Sequence, residues 1–236
     1  MVLKKLFLIF IYVINLIFNI HTQDYNVRDF GAIGDGITDD TNSIRAALQA
    51  AANSNGGRVI FDSGYIFFTG CFQIYNNTIL DVQGTILGSN SSDHYGFPGI
   101  NSTFFNTMAW QSLIFGSNLA NVTITGGGVI DGQGANWWPC FSDPSLPPCS
   151  NKTRPRLIEL NVIKDLVIHN VTLQNSPMYN IALNFCDTAH IYDIKIFNPP
   201  SCWSTCPPLA SHNTDGVNMY VASNVLIENS HISTGI

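Results

Sequence analysis

Apolar and polar positions change rhythm once along this 236-residue chain. Between Thr41 and Asn53 the apolar residues fall at Ile44, Ala47, Leu48 and Ala51. That is the spacing of a helix with one buried face. After Gly56-Gly57 the spacing shortens. Runs of Val, Ile, Leu and Phe alternate with polar residues and are separated by Gly, Asn and Asp. Period two sends alternate side chains to opposite faces, so these runs are predicted strands. Asp39 and Asp40 stand directly before the helix. Adjacent carboxylates invite a catalytic reading, but at a helix start acids accept hydrogen bonds from free backbone N–H groups and meet the positive dipole end.

The strands repeat. Asn121-Val-Thr-Ile-Thr-Gly, Asp165-Leu-Val-Ile-His-Asn, Ala189-His-Ile-Tyr-Asp and Asn224-Val-Leu-Ile-Glu-Asn align on Ile124, Ile168, Ile191 and Ile227, with Leu80 as an earlier equivalent. The 23 residues from Ile168 to Ile191 set the unit. The two steps of 44 read as two units each, and the step of 36 as one unit plus an insertion at Asn198-Pro-Pro-Ser-Cys-Trp. A second column, at Leu157-Ile-Glu-Leu, Ile181-Ala-Leu and Val217-Asn-Met-Tyr, moves in the same steps. A unit this short, with several strands and no helix, is one coil of a parallel β-helix, which buries its apolar face only by stacking. A leucine-rich repeat has a similar period, but its L-x-x-L-x-L-x-x-N pattern is absent. The expected fold is therefore all-β, one parallel β-helix domain over residues 23–236, with residues 41–53 capping its first coil.

Residues 1–22 stand apart. Lys4 and Lys5 precede an apolar run from Leu6 to Ile20, the layout of a secretory leader. The run is shorter than the roughly 20 residues that span a bilayer, so no stable membrane insertion is expected after cleavage. Without Lys4 and Lys5 the chain keeps 8 basic residues against 16 acidic ones, and nucleic acid is not an expected partner. Asn-x-Ser/Thr sequons at Asn76, Asn90, Asn101, Asn121, Asn151 and Asn170 fit a secreted, extracellular glycoprotein. Six cysteines fit an oxidising compartment. Of fifteen pairings, the expected ones close local loops, Cys140–Cys149 and Cys202–Cys206.

Several motifs carry a resemblance. Val27-Arg28-Asp29-Phe30-Gly31-Ala32-Ile33-Gly34-Asp35-Gly36, with Thr38-Asp39-Asp40-Thr41, looks like the opening of pectin-degrading β-helix proteins. Ile130-Asp131-Gly132-Gln133-Gly134, Trp137-Trp138, Gln174-Asn175-Ser176-Pro177 and Asn213-Thr214-Asp215-Gly216-Val217 then follow in the order found in glycoside hydrolase family 28, the polygalacturonases and their relatives. The resemblance implies a right-handed β-helix that hydrolyses α-1,4-galacturonosyl linkages of pectin with inversion. It makes Asp215 the expected catalytic carboxylate, acting on the attacking water. It makes Asn213 a sugar-contacting or site-shaping residue, and His212 adjoins that motif. No cofactor and no metal site are implied, and a complete protein of this kind is expected to be a monomer with pectic polysaccharide as its partner.

In the resembling proteins Ser-Thr-Gly is followed by Asp-Asp, and Gly-His-Gly and Arg-x-Lys come later. Here Ser233-Thr234-Gly235 is followed by Ile236. The expectation is a C-terminally incomplete β-helix, inactive by itself. The alternative from another class is a non-catalytic β-helix that binds wall polysaccharide. A pectate lyase would need a calcium site of clustered acids, and the sequence offers none. The histidines at 94, 169, 190 and 231 are expected as surface or turn residues.

Overall fold

The computed structural model describes residues 22–96, 109–200 and 210–235. The chain opens with β1 (Asp24–Asn26) and β2 (Asp35–Asp39), then α1 (Thr41–Asn53). Next come β3 (Gly57–Phe61), β4 (Ile66–Thr69), β5 (Phe72–Gln73), β6 (Thr78–Val82) and β7 (Thr85–Gly88). Four long strands alternate with short ones in the rest: β8 (Ile114–Thr125), β9 (Val129–Asp131), β10 (Ile158–His169), β11 (Thr172–Gln174), β12 (Ile181–Tyr192), β13 (Lys195–Phe197), β14 (Val217–Glu228) and β15 (His231–Ser233). One sheet runs β1-β3-β6-β8-β10-β12-β14, with β5 also paired to β8, and the other runs β15-β13-β11-β9-β7-β4-β2. Every pairing is parallel, and each strand pairs with its counterpart one coil away. The protein is a right-handed parallel β-helix.

Each twelve-residue strand is bent into two runs of four. Positive φ angles at Asn118 and Asn121, Val162 and Asp165, Phe185 and Thr188, and Val221 and Asn224 mark the bends. These positions drop out of the ladder, which passes from Asn161↔Asn184 to Ile163↔Cys186. Asn and Asp adopt this backbone at little cost, and Val and Phe do not. The stacking of identical bends holds them there. A coil thus has three faces: the first half of a long strand, its second half, and a short strand of the other sheet.

Three apolar columns fill the interior. Ile114, Ile158, Ile181 and Val217 form the first, and Val59, Leu80, Ile124, Ile168, Ile191 and Ile227 the second. Phe67, Ile86, Ile130, Leu173, Ile196 and Ile232 form the third. The isoleucine column read from sequence is therefore a physical column. The two steps of 44 are not double coils, however. Leu80 pairs directly with Ile124, and Ile124 with Ile168. Each step is one coil carrying a long connection, residues 89–113 and 132–157, whose excess length is close to that of a coil and so imitates one.

Helix α1 matches its predicted span and lays Ile44, Ala47, Leu48 and Ala51 on the first coil, all fully buried. Asp39 accepts from the Thr41 N–H at 3.0 Å, as a helix start favours. Asp40 does not cap. Its buried carboxylate reaches back to the N–H groups of Ile33 at 2.7 Å and Gly34 at 3.0 Å, and closes the preceding turn. Residues 1–21 of the expected leader (residues 1–22), the Asn101 sequon and the expected Cys202–Cys206 pair lie outside the described residues. Among the described residues no helix is long and apolar enough to cross a membrane.

At the last coil the columns are uncovered. Ile227 is 37% exposed and Ile232 44%, where their partners Ile191 and Ile196 are at 0%. Met219, Tyr220, Val221 and Leu226 are exposed around them. An open strand edge with apolar side chains templates association. The 236-residue chain is expected to self-associate, giving a mass that grows with concentration in size-exclusion chromatography with light scattering. A monomer at all concentrations contradicts this.

Candidate active site

The long connections leave the stack at one corner, where the short-strand sheet hands over to the long strands. Segments 89–113, 132–157 and 198–216 and the short turn 175–180 all end at the N-terminal edge of a long strand. Because the strands are parallel, the ends of these segments that enter the long strands share one side of the molecule. Asp215 lies in the last of them, immediately before β14.

The turn around Asp215 is fixed from both sides. Asn213 has a φ of 54°, a left-handed conformation that Asn tolerates. Thr214 is fully buried, and its hydroxyl donates to the Ser211 carbonyl at 2.8 Å and accepts from the Gly235 N–H at 3.0 Å. The Thr214 N–H points to the Gly235 carbonyl at 3.3 Å. The turn and Ser233-Thr234-Gly235 are therefore neighbouring rungs, as the spacing of 21 residues predicts. A Cβ on Gly235 would stand 2.3 Å from Ser211 Oγ, so no other residue fits that approach. From the other side, Asn180 donates its backbone N–H to the Asp215 carbonyl at 2.9 Å and its Nδ2 to the Thr214 carbonyl at 3.0 Å. Among the described residues the Asp215 carboxylate has one long contact, 3.4 Å from Asn218 Nδ2, and it is partly exposed. Its backbone is held and its acid group is not consumed.

His212 and Asn213 share this turn but face different neighbours. The His212 ring stacks on Phe141, with centroids 4.5 Å apart and planes 24° from parallel. Its carbonyl accepts from Arg154 Nη1 at 2.9 Å, and the same nitrogen donates to the Pro177 carbonyl at 2.8 Å. Arg154 is 4% exposed, and burial pulls its guanidinium down to about 10, still charged at neutral pH. One buried cation thus ties together the turns entering β10, β12 and β14. Asn213 is partly exposed at the turn itself.

Phe141 is carried by the loop that the Cys140–Cys149 disulfide closes, the pairing expected from spacing. Closing a loop of about 10 residues restricts the unfolded chain by about 2–3 kcal/mol. Cys140→Ser is expected to lower the melting temperature and loosen the His212 stack. An unchanged thermal melt contradicts it. Cys71 and Cys186 are buried free thiols.

Beside Asp215 the outward faces of β10, β12 and β14 form a cleft of about 290 Å³, lined by Arg156, Glu159, Tyr179, Asn184, Asn218 and Tyr220. Glu159 is 2% exposed; its Oε2 accepts from Ser112 Oγ at 2.6 Å and lies 3.7 Å from Arg156 Nη1. Asn218 joins this cleft to the Asp215 carboxylate. Arg154, Arg156 and Glu159 did not figure among the residues picked out by motif. A signal was present: they crowd into Arg154-Pro-Arg156-Leu-Ile-Glu159, which runs into a buried strand, in a chain with only 11% charged residues.

The other motifs are structural. Asp131 accepts from Gln174 Nε2 at 2.7 Å and Asn175 Nδ2 at 2.9 Å, which occupies its Oδ2 in a ladder between coils. A Cβ on Gly132 would meet Pro177 Cδ at 2.6 Å, so the two motifs pack directly. His169 stacks on Tyr192, and His190 pairs with Glu228 at 2.9 Å; these are outer-surface contacts. Among the described residues no three His, Cys, Asp or Glu side chains gather as a metal site requires.

The chain is similar to known proteins. The family profile described as Glycosyl hydrolases family 28 matches residues 78–235. A "Probable polygalacturonase" of Vitis vinifera is 33% identical over 217 residues, covering 88% of this chain and 42% of that protein. A "Polygalacturonase" of Juniperus ashei is 28% identical and covers 89% of this chain and 39% of its own. The crystal structure of a hyperthermoactive exopolygalacturonase from Thermotoga maritima superposes with a TM-score of 0.75 at 26% identity, over 90% of this chain and 52% of that one. The chain spans about two fifths of the length of these curated relatives.

Proposed function

The chain belongs to glycosyl hydrolases family 28, and from that premise we propose that it supplies the first coils and one catalytic carboxylate of a hydrolase that cleaves α-1,4-galacturonosyl linkages of pectin with inversion. The observation that carries this reading is the Asp215 turn: backbone fixed by Asn180 and Gly235, carboxylate facing outward beside a polar cleft. Such a carboxylate can orient a water and take its proton as the water attacks the anomeric carbon. Inversion needs a second carboxyl group about 6.5–9.5 Å away to protonate the leaving oxygen. Glu159 does not serve, since it is buried and its Oε2 is already held by Ser112. The acid belongs on the rung that follows Gly235, where the resembling proteins carry Asp-Asp. Asn213 shapes the turn and meets the sugar, and the stacked His212 forms the wall beside it.

Residues 1–22 act as a leader, and the protein works outside the cell on wall polysaccharide. Supporting this, Asn76, Asn90, Asn121, Asn151 and Asn170 are all exposed, and the Cys140–Cys149 bridge suits an oxidising compartment. The test is release of reducing ends from polygalacturonate. The 236 residues alone are expected to release none. The same residues joined to the part of the Vitis vinifera relative that follows the matched stretch are expected to release them steadily. Hydrolysis by the 236 residues alone, or none by the joined chain once it is shown to be folded, overturns the reading.

A further inference from the structure

We propose that the cleft beside Asp215 is a subsite for an acidic pyranose, with Arg156 as the residue that receives the sugar's carboxylate. The proposal rests on the pectic reading of the site and names one contact within it. Arg156 Nη1 is buried and has no hydrogen-bond partner among the described residues. The nearest carboxylate oxygen, Glu159 Oε2, is 3.7 Å away. Charge-assisted N–H···O bonds form at about 2.7–2.9 Å, so this pair is an ion pair without a hydrogen bond. Glu159 cannot easily close the gap, because Ser112 Oγ holds the same oxygen at 2.6 Å.

A desolvated guanidinium lacking an acceptor is costly, and a ligand that supplies one binds with that cost relieved. Arg156 is 13% exposed by side chain and lines the cleft, so a small rotation turns its free edge to an incoming group. A planar carboxylate is the group that a guanidinium fork matches with two parallel bonds. The remaining lining suits a sugar ring. Tyr179 and Tyr220 supply flat apolar surface, and Asn184 and Asn218 supply amide donors and acceptors for hydroxyls. Asn184 is already anchored, its Nδ2 donating to Asn161 Oδ1 at 2.7 Å.

Position decides which sugar this is. Glu159, Ala182 and Asn218 occupy one outward column, each one strand from the next. At about 4.8 Å per strand, Glu159 lies on the order of 10 Å from Asn218, roughly two sugar-ring widths along the helix axis. The subsite therefore sits on the earlier-coil side of Asp215, where the polymer continues away from the scissile bond. Glu159 faces the same ring as Arg156 and opposes a carboxylate, which sets the sign of the second variant below.

The experiment uses the 236-residue chain and two ligands: a saturated oligogalacturonate of four units, and the same oligosaccharide with its carboxyl groups reduced to alcohols. Binding is read by intrinsic fluorescence or calorimetry at low and moderate salt. The acidic oligosaccharide is expected to bind at least tenfold tighter than the reduced one. Arg156→Gln is expected to erase that preference while the reduced ligand is unaffected. Glu159→Gln, which removes the competing charge, is expected to strengthen the acidic ligand several-fold. Circular dichroism checks that both variants keep the β-helix, and Glu159→Gln remains informative if Arg156→Gln does not fold. Equal affinities for both ligands, or a preference that survives Arg156→Gln, overturn the Arg156 assignment and leave the pectic reading standing. Binding of neither ligand overturns both.

Discussion

Asp215→Asn, made in the folded chain joined to the later coils of its Vitis vinifera relative, is expected to lower kcat by about 10²–10⁴-fold, the range for loss of a positioned general base. Asparagine keeps the shape of the side chain and removes its basicity. The carboxylate makes one contact of 3.4 Å, to Asn218, so folding does not depend on its charge. The melting temperature is expected to move little, within the roughly ±0.5 kcal/mol usual for exposed positions. Affinity for oligogalacturonate is expected to hold or rise, since a negative charge facing an anionic polymer is gone. Turnover and melting are measured on the same preparation. A loss below tenfold removes Asp215 from the chemistry. A large drop in melting temperature makes it a structural residue instead.

Arg154→Met is expected to be the most damaging single substitution at the site for stability. It deletes hydrogen bonds to the carbonyls of Pro177 and His212 and leaves both acceptors facing a buried position. Hydrogen bonds from a charged donor contribute about 1.5–3 kcal/mol each, which sums to about 3–6 kcal/mol when both are lost. Methionine keeps part of the aliphatic volume, so the effect reports the guanidinium rather than a cavity. The turn carrying His212, Asn213 and Asp215 loosens with it, and proteolysis is expected first in segment 210–216. Urea unfolding measures the loss as a lower midpoint, by about 1.5–3 M for an m-value of about 2 kcal/mol/M. A midpoint within a few tenths of a molar of the parent contradicts the clamp.

The parts of this protein that were legible from sequence are those set by near neighbours. Helix α1 was legible because Ile44, Ala47, Leu48 and Ala51 carry a period that nothing else in the chain shares. The isoleucine column was legible because stacking repeats one residue type at one place in every coil. Coil count was not. The connection at 132–157 is about as long as a coil, so Ile124 and Ile168 looked two rungs apart when they are one. Asp40 was also misread, because a carboxylate beside a helix start resembles a cap whether it turns forward to the helix or back to Ile33 and Gly34.

Within the site, one side of the Asp215 turn was legible because the Thr214–Gly235 contact spans 21 residues to the next rung, a distance the repeat predicts. The Arg154 clamp and the Arg156–Glu159 pair could not. Arg154 reaches residues 23 and 58 positions on, and Ser112 meets Glu159 across 47. The separations of 58 and 47 depend on insertion lengths, which no local pattern encodes. A charged residue in an apolar strand marks a position of interest, but its partner is fixed only when the coils are stacked. The same holds for Asp131, a motif residue whose carboxylate is spent between coils on Gln174 and Asn175.

The most direct test of the central claim, that the Asp215 turn and its adjoining cleft hold the polymer, is amide hydrogen exchange of the 236-residue chain with and without oligogalacturonate. Slowed exchange is expected only in segments 156–161, 179–184 and 212–220, which meet at this corner of the coil. Protection elsewhere on the stack with none at 212–220, or no change anywhere at saturating oligosaccharide, would contradict it.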